Sequence, residues 1–424
     1  MSIGEKIRLY RLNKGLTQSE LSNGIISVSY LSKIETNQIN TNEETLILLF
    51  DRLGMPFHSS KVLNYMPMLN EWYHTFAHKQ ETDAAKETLN ILLKNNIDSN
   101  GDFNVIILFY LYQYRYYLGI RDLESAEQLI LKLNSYYGND LIKGKHRYFY
   151  FKFKGLHNYL KNDLDECYQA LKISEEHFTN FVFDKWEEGD LKYLIALVSS
   201  RTWRIMLSVS YANEALLVYQ ALLHVKRCSE CLMILGINYR RSMDWIKAEA
   251  FYKQALELAD NLNSEILKSN ILHNLGYVYS SQGNSELAVQ YYLKGLNNDK
   301  NDILSLYSLS KEYRLMGKTD ECLKWTELGM EISEDKNDKA HYFHFKLNKY
   351  LLTDDLNLEY SSFLKEDIIP YFEKEKHYEF VSFYCNLLGD FYTNNRKYKD
   401  ASIYYKKSLN ALEKLKNLHS LLNQ

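Results

Sequence analysis

The chain has 424 residues, 46% of them hydrophobic, with 51 basic and 54 acidic side chains and a formal net charge of −3. That apolar content excludes a disordered chain, and the slight acid excess sets it apart from the usual basic DNA-binding protein. Only three prolines (Pro56, Pro67, Pro370) and 17 glycines punctuate it, too few for a sheet protein full of tight turns, so long helices are expected.

In chain order, residues 1–57 form one compositional unit. Within "IGEKIRLYRLNKG", Ile3, Ile7 and Tyr10 follow the i, i+4, i+7 rule and predict one inward helix face. Arg8 points away from that face, Lys6 and Arg11 flank it, and Lys14 sits at the helix end, where a cation suits the dipole. Thr17 precedes the short helix "QSELS" as its cap, and Glu20, three residues on, completes a Thr-x-x-Glu capping box. Ser27 is placed to cap "VSYLSKIE", while Leu21, Leu31 and Ile34 supply the shared apolar contact. Two short helices at this spacing predict a helix-turn-helix, the second helix able to lie in a major groove. Met55-Pro56 closes the unit, because the residue before proline is driven out of the α region. Residues 58–70, "HSSKVLNYMPMLN", predict a linker helix stopped near Pro67.

From 71 to 424 the chain repeats itself. A Leu-small dipeptide is followed by an aromatic residue, a small residue and a further aromatic. The sets are Leu235/Gly236/Tyr239/Ala248/Tyr252/Ala255, Leu275/Gly276/Tyr279/Ala288/Tyr292/Gly295, the weaker Leu309/Ser310/Tyr313/Cys322/Thr326/Gly329, and a late Leu388/Gly389/Tyr392/Ala401/Tyr405. Small residues let two antiparallel helices approach, and the aromatics plug the gap to the next pair. One pair cannot bury its apolar face alone, but a stack of pairs does. The pattern resembles tetratricopeptide repeats, with fainter copies at 70–98, 103–137, 146–178, 187–226 and 339–376. The expected fold is therefore all-α, an N-terminal helix-turn-helix followed by a right-handed α-solenoid of about nine repeats.

The string "LTQSELS…YLSKIE" strongly resembles the Cro/repressor-like (XRE) DNA-binding domains. That resemblance implies a phosphate contact from Gln18, beside Thr17, and base contacts from the exposed start of the second helix, Ser27, Val28, Ser29, Tyr30, Ser32 and Lys33. Glu35 resembles the family's structural glutamate, a scaffold residue. The turn between Gln18 and Ser27 is one residue shorter than in most of the family and resembles the PlcR-type regulators. Six basic residues (Lys6, Arg8, Arg11, Lys14, Lys33, Arg52) balance six acidic ones over 1–57. Phosphate neutralisation supplies most non-specific affinity, so a neutral head binds weakly alone and a homodimer or higher homo-oligomer, assembled by the repeats, is expected.

Chemistry of other kinds has little support. Cys228-x-x-Cys231 lacks the second pair a zinc site needs, and neither His74/His78 nor His341/His344 has the HExxH glutamate. No two glycines have P-loop spacing, and no catalytic residue, metal site or cofactor is expected. The polar N-terminus predicts no signal peptide, no run approaches the ~20 apolar residues that span a bilayer, and five scattered cysteines fit a reducing cytoplasm.

A helix-turn-helix of this kind ahead of such repeats resembles the peptide-pheromone receptors of Gram-positive bacteria, the Rap/Rgg/NprR/PlcR/PrgX group, and the length and repeat count look most like the NprR type. The resemblance implies a cytoplasmic transcription regulator that binds an operator and is switched by a short signalling peptide in the repeat groove. Asn274, just before Leu275-Gly276, matches the asparagine that clamps the peptide backbone in that group. An amide suits the role because it both donates and accepts. Helix position adds Asn238, Arg240, Tyr277, Lys311, Arg314, Asn348 and Asn386 as groove candidates. The alternative is a repeat-based module that holds a protein partner such as a response regulator, with DNA binding secondary.

Overall fold

The computed structural model describes residues 3–54, 65–95, 97, 103–262, 264–353 and 357–421, and every regular element in them is helical. The chain divides into two compact units, residues 1–194 and 195–424.

The first unit opens with four short helices, α1 (Ile3–Asn13), α2 (Gln18–Ser22), α3 (Val28–Glu35) and α4 (Glu43–Arg52). Side-chain caps set their starts. Thr17 Oγ1 accepts from the Glu20 N–H at 3.1 Å while Glu20 Oε2 accepts from the Thr17 N–H at 2.7 Å, the reciprocal box expected from the sequence. Ser27 Oγ accepts from Tyr30 N–H at 3.2 Å to open α3, and Asn42 Oδ1 from Thr45 N–H at 3.0 Å to open α4. Ile7, Leu9, Tyr10, Leu21, Leu31, Ile34, Leu49 and Phe50 are buried as a small core. Ile3, expected to face inward, is instead 47% exposed. Gly4 makes the close approach: a Cβ there would run into the Ile34 carbonyl of α3. Ile3, ~100° round the helix from Gly4, is thereby turned outward.

Pro67 also departs from expectation. It lies in the first turn of a helix, Met66–Tyr73, rather than near the end of one, because a first-turn residue needs no N–H partner. Residues 58–64 of the expected linker, and the Met55-Pro56 stop, lie outside the described residues. The Met66 helix runs on through a π-helical turn, His74–Lys79, and pairs with Thr82–Lys94. Eight further pairs follow, at 103–138, 145–178, 185–221, 225–260, 265–298, 303–335, 339–374 and 378–421, close to the registers read from the sequence.

In the second unit the pairs lock glycine against tyrosine. A Cβ on Gly236 would lie 2.5 Å from the Tyr252 ring, one on Gly276 2.5 Å from Tyr292, and one on Gly389 2.6 Å from Tyr405. Each ring fills the hollow left by the glycine of its own pair, where the sequence suggested a plug toward the next. Gly236→Ala should therefore cost about 1–3 kcal/mol through overpacking, seen as a lower urea midpoint. A variant as stable as the parent would contradict this packing.

The last pairs enclose His344, which lies against Phe372 and Phe380 and is bonded to the Tyr384 hydroxyl. Burial, and then the neighbouring His341, push its pKa down to about 4, against an opposing pull from Asp338. Burial lowers His273 in the same direction. The unfolded chain therefore takes up these protons first, near pH ~6.5, and stability is lost as pH falls from there toward 4. The His344 contribution to that loss is roughly 3 kcal/mol. Melting curves of the full chain between pH 7 and 4.5 should show the decline, and His344→Gln should flatten it.

Candidate DNA interface and ligand groove

The α3 face is held by a buried scaffold. Arg11 Nε and Nη2 donate to Glu35 Oε1 and Oε2 at 2.7 and 3.0 Å, and Arg11 Nη1 donates to the Leu16 carbonyl at 2.8 Å. Gln18 Nε2 donates to the same Glu35 carboxylate at 2.8 Å, so the half-buried Gln18 amide braces α3 in the free chain. Ser27, Val28, Ser29, Tyr30 and Lys33 are exposed together around the first turns of α3, with Ser32 half-buried beside them and Thr17 at the start of α2. Tyr30 Oη reaches Thr41 Oγ1 at 3.5 Å. These side chains share one exposed face, polar apart from Val28 and the Tyr30 ring.

The basic residues of the head are mostly engaged elsewhere. Arg11 is buried against Glu35. Arg52 donates to the Leu21 carbonyl at 3.1 Å and to the Asn23 carbonyl, closing the end of α2. Arg8 donates to Asn139 Oδ1 at 2.6 Å, and Lys6 lies 5.9 and 5.7 Å from the Tyr10 and Phe50 ring centres. Lys14 and Lys33 stay exposed. The head thus presents less positive charge to phosphates than its six basic residues suggest.

In the second unit the first helix of each pair carries the groove candidates. Asn274 is half-buried; its Nδ2 donates to the Asn270 carbonyl at 2.8 Å, and its Oδ1 accepts from Tyr252 Oη at 3.4 Å. The Arg240 guanidinium lies 4.2 Å from the Tyr277 ring centre, and its charge acts on the nearby Tyr252 hydroxyl. Arg240, Tyr252, Asn274 and the exposed Tyr277 therefore meet at one place, offering a cation, an amide and an aromatic face.

Other candidates are placed differently. Asn238 is 0% exposed and donates to Ser208 Oγ and the Ile234 carbonyl, both at 2.8 Å, as a bond between repeats. Asn348 is also buried, accepting from Arg314 Nε at 2.8 Å and donating to Ser310 Oγ at 3.2 Å and Thr326 Oγ1 at 3.3 Å. Lys311 and Asn386 are exposed. Two buried residues beside these candidates do more than the sequence suggests. Tyr252 reads in the sequence as a packing aromatic, yet its hydroxyl also donates to Asn274 Oδ1 on the next repeat. Glu312, which no motif singles out, is buried where the two preceding repeats carry Asn238 and Val278.

Among the described residues no cluster of His, Cys, Asp or Glu could hold a metal ion, and no helix is long and apolar enough to cross a membrane.

Comparison with known proteins places these features in a family. The helix-turn-helix family matches residues 7–58, and tetratricopeptide repeat families match residues 228–301 and 384–411. The chain is 36% identical over 413 residues to the transcriptional activator NprA of Geobacillus stearothermophilus, covering 94% of this chain and all of that protein. It is 23% identical to response regulator aspartate phosphatase A of Bacillus subtilis (strain 168), covering 82% of this chain and 94% of that one. The solved structure of NprR in complex with its cognate peptide NprX shares the fold, with a TM-score of 0.63 at 19% identity over 82% of this chain and all of that one. The chain belongs to the NprR-like family of transcription regulators, within the wider Rap/NprR/PlcR group, that includes the activator NprA.

Proposed function

We propose that this regulator grips an operator through α3 and that a short signalling peptide, bound at the Arg240–Tyr252–Asn274 station, sets the strength of that grip. The observation that carries the reading is the presence in one chain of an exposed, scaffolded α3 face and a half-buried amide, Asn274, which bonds Asn270 and Tyr252 and keeps a second N–H and a second lone pair for an extended backbone. Similarity to a transcriptional activator supports the DNA half, and the peptide complex of NprR, a relative in fold, supports the other. In this reading residues 1–57 are the DNA-binding head, 58–70 the linker and 71–424 the peptide-binding and assembling repeats. The chain works in the cytoplasm as a homodimer or larger, catalyses no reaction, and needs no cofactor. Two heads on one operator double the phosphate contacts that a neutral head lacks.

Asn274→Ala tests the peptide half. Removing an amide that pairs with a ligand backbone costs roughly 1–3 kcal/mol, or about a tenfold to hundredfold loss of peptide affinity. Because Asn274 also accepts from Tyr252, a small loss of stability, about 1 kcal/mol, accompanies it. Calorimetric titration of a peptide copurified from the host, with melting curves alongside, reads both. A mutant that binds normally yet melts several degrees lower would leave Asn274 as a structural residue only.

A second reading is favoured by the resemblance to response regulator aspartate phosphatase A. In it the repeats hold a response regulator and DNA binding is secondary. A pull-down with the full chain, with and without operator duplex, separates the two: a protein partner retained equally in both favours the second reading.

A further inference from the structure

Two equivalent stations follow one another along the repeats at 225–260 and 265–298. At the first, the Tyr252 hydroxyl donates to Asn274 on the next repeat, and the charge of Arg240 on its own repeat acts on it. One repeat on, Tyr292 takes the place of Tyr252, with Ser280 and Ser308 nearby. The positions correspond: Arg240 and Ser280 each stand four residues after the pair's glycine, and Asn274 and Ser308 each precede a leucine of the Leu-small dipeptide. The first station thus holds a cation and an amide, and the second only hydroxyls.

Glu312 completes the second station. It is 2% exposed, its Oε1 accepts from Ser280 Oγ, and its charge acts on the Tyr292 hydroxyl. Its Oε2 is buried and makes no hydrogen bond. A buried carboxylate oxygen without a donor is costly, and packing does not require it, since Val278 fills the same position in the preceding repeat. The cations on its own helix do not satisfy it: Arg314 is held by Asn348 at 2.8 Å, and Lys311 is exposed. Ser280, which bonds the carboxylate, is half-buried, so the carboxylate lies one side chain from solvent.

We infer that Glu312 is the base of a cation-binding subsite, one repeat along from the Asn274 amide, that receives an ammonium or guanidinium group of the bound peptide. The inference rests on the peptide reading above. It also gives the groove a polarity. Arg240 at one station favours an acidic group, Glu312 at the next a basic one, and the backbone between them passes Asn274. A peptide in the opposite direction would set like charges together. The basic group could come from a lysine or arginine side chain or from the peptide's free N-terminus.

The test uses the full chain and a synthetic pool of randomised heptapeptides, supplied with free and with acetylated N-termini. Peptides retained by wild type, Glu312→Gln and Glu312→Asp are sequenced by mass spectrometry. The expected result is an enrichment of basic residues at one position in the wild type, about tenfold or more, that is lost in Glu312→Gln and kept in Glu312→Asp. Enrichment that survives acetylation assigns the subsite to a side chain, and enrichment that disappears with acetylation assigns it to the N-terminal ammonium; either supports the inference. Peptides retained equally by wild type and Glu312→Gln, with no difference in basic content, would overturn the subsite and leave the peptide reading standing. Retention of no peptide by any of the three would overturn both.

Discussion

Arg11→Ala should destabilise the DNA-binding head by about 3–5 kcal/mol and abolish operator binding, although Arg11 itself does not face DNA. Glu35 is buried, and its two oxygens take three bonds, two from Arg11 and one from Gln18. Removing the guanidinium leaves the carboxylate uncompensated, and it also frees the Leu16 carbonyl at the entry to α2. The core of residues 3–54 is small, and a loss of this size exceeds what such a core can absorb. Hydrogen exchange over residues 3–54 in the full chain reads the effect directly. Replacing both partners, as Arg11→Met with Glu35→Leu, should restore protection, because an apolar pair of similar volume leaves no orphan charge. Unchanged protection in Arg11→Ala would show that the pair does not hold α3.

Lys152→Met should destabilise the first unit's repeats by a similar amount, about 3–5 kcal/mol. Lys152 is 0% exposed, with Nζ at 2.5 Å from Glu187 Oε1 and 2.7 Å from Asp190 Oδ2. Tyr148 and Tyr73 donate to Glu187 at 2.6 and 2.9 Å. Burial, and then the Glu187 charge, raise both phenols well above their ordinary range, so they remain donors to that carboxylate. Without the ammonium, two carboxylates share one buried site, and the tyrosines can satisfy only part of one. Thermal melts should show the loss, and adding Glu187→Gln to Lys152→Met should recover a substantial part of it. Additive costs in the double variant would mean that the two side chains do not interact.

Periodicity reveals elements more readily than it reveals partners. The capping box at Thr17 and Glu20, the Ser27 cap and the glycine–tyrosine registers all depend on residues close in sequence or on a repeated spacing, and the structure has each of them. Ile3 was misjudged because a helical face read from three positions does not show that Gly4 makes the closest approach to α3. Pro67 was misread because proline both ends helices and starts them, and the choice depends on what the following residues pack against. At Asn274 and Arg240 helix position and residue type agree, and the structure leaves both side chains half-buried rather than sealed in the core. Asn238 and Asn348 occupy similar helices but turn their amides to Ser208 and Ser310 on neighbouring repeats, which periodicity does not show. The commitments of Arg8, Arg11 and Arg52 were also hidden, since each bonds to a residue at least 24 positions away.

The central claim, that a groove-bound peptide sets the hold on DNA, is tested most directly by operator binding. The peptide copurifying with the full chain from its host would be titrated into the complex of that chain with a selected operator duplex, followed by fluorescence anisotropy. The predicted result is a shift of operator Kd by about tenfold or more for the wild type, equivalent to about 1.4 kcal/mol of coupling, and no shift for Asn274→Ala at the same peptide concentration. A peptide that binds the wild type while leaving its operator Kd unchanged would contradict the account.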